Sequence, residues 1–249
     1  MKFLYYLAAL GNPDFEIKLN ILKNNLHYIF KDINQQFDIL INCYDDIDVA
    51  SVINKTNFHF LDNIHINYKK GKLIELWNDN PFHLYLSNYD YILFMLDDIE
   101  IENINIYELI KIKTQYNIEF ISPRVEHSTW EYMNLYSGNK LGITNRVEIY
   151  CFLFNYENFI KFLSINDIDN PNTWGVDYIM AHYKIKTAIY YKFNVIHKLQ
   201  SKSNTVNNYD QAIFDMDKFF KKNGYNSRED FLKKFPDDII EVIEPNNEN

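Results

Sequence analysis

Short, almost unbroken apolar runs alternate along the chain with stretches whose apolar residues recur every three or four positions. "KFLYYLAALG" (2–11) is the first run, continuous enough for a strand buried on both faces. Over 12–33, Phe15, Ile17, Leu19, Leu22, Leu26 and Ile29 with Phe30 trace a helical face, with Asn12 as its cap and Pro13 at its first position. "FDILINCYDD" (37–46) predicts a second buried strand ending in Asp45 and Asp46, and "FHFLDN" (58–63) a short third. "KKGKLIELWNDNPF" (69–82) predicts a helix stopped before Pro81, and "YDYILFML" (89–96) the next strand. Strand, helix, strand, helix, strand is the rhythm of an open α/β sheet with parallel strands. Ligands of such sheets bind beyond the carboxyl ends of the strands, so Asp45, Asp46, Asp97 and Asp98 are expected along one rim.

The second half is more mixed. "IYELIKIKTQYN" (106–117) and "YENFIKFLSI" (156–165) read as helices, "IEFISPRV" (118–125) and "NRVEIYCFLFN" (145–155) as strands. "NPNTWGVDYIMAHYKI" (170–185) opens with turn residues and becomes helical from about Trp174. "TAIYYKFNVIHKL" (187–199) is strand-like, and residues 210–235 form two short helices broken at Gly224, with Ser227 and Asp230 capping the second. With neither an internal repeat nor a long linker, the expectation is one α/β domain: a central, mostly parallel sheet flanked by helices, with a short helical tail.

Composition acts mainly by exclusion. At 249 residues, 47% hydrophobic and 24% charged, the chain is long and apolar enough for a substantial core. A net charge of -9 argues against nucleic acid, because phosphate contacts need clustered cations, and the lysines at 69–72 and 221–222 sit among acids. The six glycines are too scattered for GxGxxG or GxxxxGK[ST], which removes the ordinary dinucleotide fold, P-loop enzymes and protein kinases. Cys43 and Cys151 both lie in apolar runs, so two buried thiols are expected and a cysteine zinc set is not. "FLYYLAAL" is too short to span a membrane and lacks a cleavage site after it. A cytoplasmic protein is therefore expected. Crowded Ile, Asn, Lys, Tyr and Phe look like AT-rich coding, which speaks to origin and not to function; for a viral protein the expected compartment is the host cytoplasm.

Three constellations carry possible chemistry. A buried strand running into Asp97, Asp98 and Glu100 gathers carboxylates that need hydrogen bonds or a hard cation such as Mg²⁺ or Mn²⁺. An ordinary solvated strand end accounts for them equally well. "NTWGVDYIM" places Trp174, a tight turn at Gly175, and Asp177 in the first turn of a helix, where an acid is favourable in any case. "FNVIHKL" ends a strand in His197, with Lys198 beside it.

In that order, the three resemble GT-A type nucleotide-sugar glycosyltransferases. In that fold an acidic motif (DxD and its variants) binds a divalent metal, a late His often completes the site, and a Gly-Asp or Gly-Glu turn lies near the acceptor. More narrowly, "YDYILFMLDD", "ISPRVEHSTW", "NRVEIYCFLFN", "WGVDY" and "VIHK" resemble a plant and microbial glycosyltransferase-like family of unknown function, over about residues 89–198. This chain departs from a clean DxD: either Asp98 with Glu100 or Asp97 with Asp98 forms the pair. The resemblance implies a GT-A-like (Rossmann-like) domain with a nucleotide-binding lobe at 1–101, an acceptor lobe at 102–205 and a helical tail at 206–249. It implies transfer from a nucleotide-sugar donor, UDP-sugar favoured, to a glycan or other hydroxyl acceptor, with Mn²⁺ or Mg²⁺ as cofactor. Asp98, Glu100 and His197 would hold the metal, with Asp97 beside them. Asp177 would take the acceptor proton in an inverting reaction. Ala9, Leu10, Gly11, Asp45, Asp46 and Lys72 would face the donor, and Glu126, His127, Trp130, Trp174 and Gly175 the acceptor. A metal-dependent nucleotidyltransferase or phosphohydrolase, or a non-catalytic carbohydrate-binding module, fits the same acids and aromatics.

Overall fold

The structure is a computed structural model that describes residues 1–56, 58, 61–78, 80–199 and 209–245. Its strands are β1 Phe3–Leu10, β2 Phe37–Cys43, β3 Leu61–Tyr68, β4 Tyr91–Met95, β5 Ile99–Asn103, β6 Phe120–Glu126, β7 Leu141–Thr144, β8 Cys151–Phe154, β9 Thr187–His197 and β10 Ile239–Ile243. Its helices are α1 Phe15–Ile33, α2 Val49–Thr56, α3 Leu73–Asn78, α4 Ile106–Gln115, α5 Tyr156–Ile165, α6 Val176–His182, α7 Tyr209–Lys222 and α8 Arg228–Lys234. One mixed sheet runs β10-β7-β9-β6-β8-β4-β1-β2-β3, with β5 paired to β9. The β3-β2-β1-β4 part is parallel. β8 runs antiparallel between β4 and β6, while β6 and β9 are parallel.

Direction decides what meets at one edge. β6 has the same sense as β4, because both oppose β8. The carboxyl ends of β1, β2, β4, β6 and β9 therefore share an edge. β8 runs the other way, so its amino end, preceded by residues 145–150, arrives at that edge too. The mostly parallel core and flanking helices agree with the expected α/β class.

Burial explains the clearest elements. Every residue of β1 is buried. Phe94 on β4 stacks on Tyr6 at 5.5 Å and meets the edges of Trp77 and Phe162 at 5.2 and 5.4 Å. The indole N–H of Trp77 donates to the Ala8 carbonyl at 3.0 Å, so this large ring is buried with no unmet donor. Cys43 and Cys151 are both free and buried.

Other expectations are corrected. α1 starts at Phe15 after Asp14 in a left-handed conformation, so Asn12 and Pro13 precede the helix. Ile17 is exposed, while Lys18 and Asn25 are buried. The strand expected at 145–155 is confined to Cys151–Phe154, and α6 begins two residues after Trp174. β5, β7 and β10 were not expected. The third strand begins at Leu61; residues 59 and 60 of its expected span, and the expected junction near 205, lie outside the described residues. Ser227 does cap α8, accepting from the Asp230 amide at 3.3 Å.

Phe94→Ala leaves a cavity where the rings of Tyr6, Trp77, Phe154 and Phe162 meet β4. It is expected to cost about 3–5 kcal/mol in urea denaturation. A loss under about 1 kcal/mol would show that the ring cluster is not the core's centre.

Candidate active site

α1 lies along the segment that follows β4 and grips it with a polar stripe. Lys18 pairs with Asp97 at 2.9 Å. Asn25 donates to the Ile99 carbonyl and accepts from the Ile101 amide, both at 2.8 Å, as a neighbouring strand would. The Tyr28 hydroxyl spans the carbonyl and amide of Ile104 at 3.0 Å each, and Asp32 accepts from the Ile106 amide at 2.7 Å. Held this way, the chain does not run out into solvent after its acids. It turns at Asp97–Asp98 and re-enters the sheet as β5.

That turn separates the three acids. Asp97 faces α1, where burial raises its carboxyl to about 7, with Lys18 opposing the shift and Asp98 adding to it. Asp98 faces β9. The β5–β9 register sets Ile99 opposite His197, and the Lys198 amide donates to the Asp98 carbonyl at 2.9 Å. The side chains consequently meet, His197 Nε2 to Asp98 Oδ2 at 2.8 Å, both nearly buried. With Nε2–H donating, Nδ1 keeps a bare lone pair, and it and Asp98 Oδ1 are buried without a hydrogen-bond partner. Glu100 lies inside β5 and is engaged by Lys198 at 2.6 Å and Asn24 at 2.8 Å.

Among the described residues no three His, Cys, Asp or Glu side chains converge as a metal site. Nδ1 points away from the Asp98 carboxylate, so the atoms of this pair that would face a shared hard cation are Nε2 and Oδ2, which would give up their mutual 2.8 Å contact to hold it.

A second cluster adjoins the first through Tyr150. Its ring lies 4.8 Å from that of His197, its carbonyl accepts from the Leu96 amide at 3.1 Å, and its own amide donates to the Glu148 carbonyl at 2.8 Å. Burial, reinforced by the charge of Asp177, pushes Glu148 up to about 8. Burial also raises Asp177, to about 6, against the pull of Arg146 and Arg228. Glu148 and Arg146 belong to the loop before β8. They were missed because "NRVEIYCFLFN" has the apolar density of one long strand. Tyr150, next to Cys151 in that run, was missed for the same reason.

The remaining expected residues fall around these clusters. Gly11 packs against the Tyr44 ring so closely that a Cβ would stand 2.5 Å from it. Ala9 and Leu10 are buried in β1. Asp45 accepts from the Asn12 amide, while Asp46 is exposed and pairs with Lys70. Lys72 reaches Asn172, just before the Trp174 turn, at 3.5 Å. Glu126 pairs with Arg124 at 3.1 Å, and His127 takes a positive φ of 61° as β6 ends. Trp130 packs 6.0 Å from Tyr178, and Trp174 lies 5.4 Å from Tyr209. At Gly175, φ is 85° and a Cβ would stand 3.1 Å from Met216, so α7 seats directly on the turn that presents Asp177.

Solved structures share this fold. A crystal structure of GalNAc-T7 with UDP, GalNAc and Mn²⁺ matches with a TM-score of 0.58 at 9% identity, over 95% of this chain and 56% of that one. S. aureus TarS 1-349 matches at 0.57 and 11% identity, over 89% of this chain and 65% of that one. The same TarS segment in complex with UDP gives 0.55 and 10%, over 95% and 71%. This chain thus spans little more than half of the GalNAc-T7 chain. The likeness is one of fold: the chain has a GT-A-like architecture. No family model matches the sequence, and no curated protein matches it. No helix among the described residues is long and apolar enough to cross a membrane.

The carboxyl of Glu148 is held above its ordinary 4.5, so the folded state binds its proton more tightly than the unfolded chain does. The stability tied to its neutral form is complete below about pH 4.5 and is lost as pH rises through about 8. Glu148→Gln keeps a neutral group at every pH. Its melting temperature should gain on the parent's progressively across that window and then level off. A constant difference from acid to alkali would contradict the assignment.

Proposed function

We propose that the protein is a metal-dependent glycosyltransferase that moves a sugar from a nucleotide donor, favoured as a UDP-sugar, to a hydroxyl acceptor. The observation that carries this reading is the buried Asp98–His197 pair, Oδ2 to Nε2 at 2.8 Å, one residue from a carboxylate pair of raised pKa. The fold shared with GalNAc-T7 solved with UDP and Mn²⁺, and with TarS solved with UDP, supports it.

Asp98 and His197 would hold Mn²⁺ or Mg²⁺, and a bound divalent ion neutralises charge growing on a diphosphate leaving group. Asp97 stays against Lys18 and braces the turn. Glu100, engaged by Lys198 and Asn24, supports β5 instead of serving as a ligand. The β1 exit at Ala9, Leu10 and Gly11, with Asp45, Asp46 and Lys72, would line the donor side. Glu126, His127, Trp130, Trp174 and Gly175 would border the acceptor.

Asp177 is the acceptor's base and the reaction inverts. Near neutral pH the two carboxylates divide the roles, since Asp177 at about 6 is mostly ionised and Glu148 at about 8 mostly protonated. An ionised Asp177 accepts the acceptor hydroxyl proton as the new bond forms.

Titrating UDP by calorimetry with and without Mn²⁺ tests the donor side. Metal-dependent binding that disappears in Asp98→Ala is expected, and equal binding without metal would contradict it. Asp177→Asn should retain UDP binding and lose about 10²–10⁴-fold in transfer rate. In the parent, that rate should fall as pH drops through about 6. Normal transfer by Asp177→Asn would remove Asp177 from the mechanism.

A further inference from the structure

Of the 25 basic residues in this chain only Arg124, Arg146 and Arg228 are arginine. Two of those three converge on one place. The Arg146 guanidinium lies 4.7 Å from the Tyr178 ring centre and 5.9 Å from those of Trp130 and Tyr132. The Arg228 guanidinium lies 5.4 Å from Trp130 and 5.1 Å from Tyr178. Trp130 and Tyr178 thus carry a guanidinium from β8's entry loop and another from the start of α8.

Several polar groups there have hydrogen-bonding capacity to spare. Arg146 Nε, Arg228 Nε and Tyr132 Oη are buried and donate no hydrogen bond, while the Tyr178 hydroxyl lies against Arg228. Arg146 spends one end on Asp238. Arg228 forms no ion pair among the described residues. It also stands at the first position of α8, where a cation opposes the helix dipole, so helix stability does not explain it. Unmet buried donors are costly, and a group rich in acceptor oxygens would satisfy them. Arginine's planar fork matches carboxylate and phosphate better than lysine's point charge. Asp177 lies within the field of both arginines, so whatever occupies this place is beside the proposed base.

We infer that the acceptor carries an anionic group, a carboxylate or a phosphate, held by Arg146 and Arg228 against Trp130 and Tyr178. This inference rests on the transferase reading above. The two guanidiniums, stacked against Trp130 and Tyr178, fix the acceptor's register so that a hydroxyl reaches Asp177. A protonated Glu148 removes one of the charges that would repel such an acceptor.

The test titrates glucose, glucuronate and glucose 6-phosphate into the protein saturated with UDP and Mn²⁺. At least one of the two anionic sugars should bind about tenfold or more tightly than glucose, and which one does so separates carboxylate from phosphate. Arg228→Gln, which breaks no ion pair, should erase most of that advantage while UDP binding and the melting temperature stay near the parent's. Arg146→Gln should do the same, with a lower melting temperature from the loss of Asp238 pairing. UDP binding with equal affinity for all three sugars overturns this inference alone, as does an anion preference that survives Arg228→Gln. Absence of UDP binding overturns the transferase reading and this inference with it.

Discussion

The polar stripe on α1 is the constraint on which the site depends. Lys18, Asn25, Tyr28 and Asp32 recur on one helical face and bind Asp97, the backbone of β5 and the start of α4. Without those bonds the backbone of residues 97–106 would lose partners that a lone strand at this position cannot supply for itself. Burying Lys18 and Asp97 together is costly in itself, and removing either partner strands a charge in the interior. The arrangement therefore contributes position more than net stability: it turns the chain sharply at Asp97–Asp98 and sends it back as β5.

Everything downstream follows from strand direction. β5 pairs with β9 so that Asp98 falls against His197. β8 opposes β4 and delivers Tyr150, Glu148 and Arg146 to the edge where the parallel strands end. Tyr150 then joins the two clusters, touching His197 with its ring and bonding the Glu148 carbonyl through its amide. α7 closes the far side by seating on Gly175, which fixes the start of α6 and hence Asp177. The Asp98–His197 pair and the Glu148–Asp177 pair are adjacent because one reversed strand lies inside a mostly parallel sheet.

The parts of this arrangement that were readable in the sequence are those set by burial alone. β1, β2 and β4 have apolar residues on both faces, so the α/β rhythm and the common rim were visible. Asp98 and His197 were visible as polar residues at the ends of apolar runs, and Asp177 as an acid in the first helical turn after Gly175. What escaped obeys tertiary contacts instead. Lys18 and Asn25 look like solvent-facing residues until the segment they hold is known. β5 reads as a charged turn, because Glu100 and Glu102 alternate with Ile99 and Ile101 on a strand only one neighbour wide. Arg146 and Glu148 were hidden inside a run whose composition suggested a strand, and Arg228 was read only as part of a tail helix.

The most direct measurement is a crystal structure with UDP and Mn²⁺, with the metal located by its anomalous scattering. The account predicts Mn²⁺ bonded to Asp98 and His197 and to the diphosphate oxygens of UDP, with Glu100 still on Lys198 and Asp97 still on Lys18. Manganese held by Glu100 or by Asp45 and Asp46, or UDP seated away from the shared edge of the sheet, would contradict it.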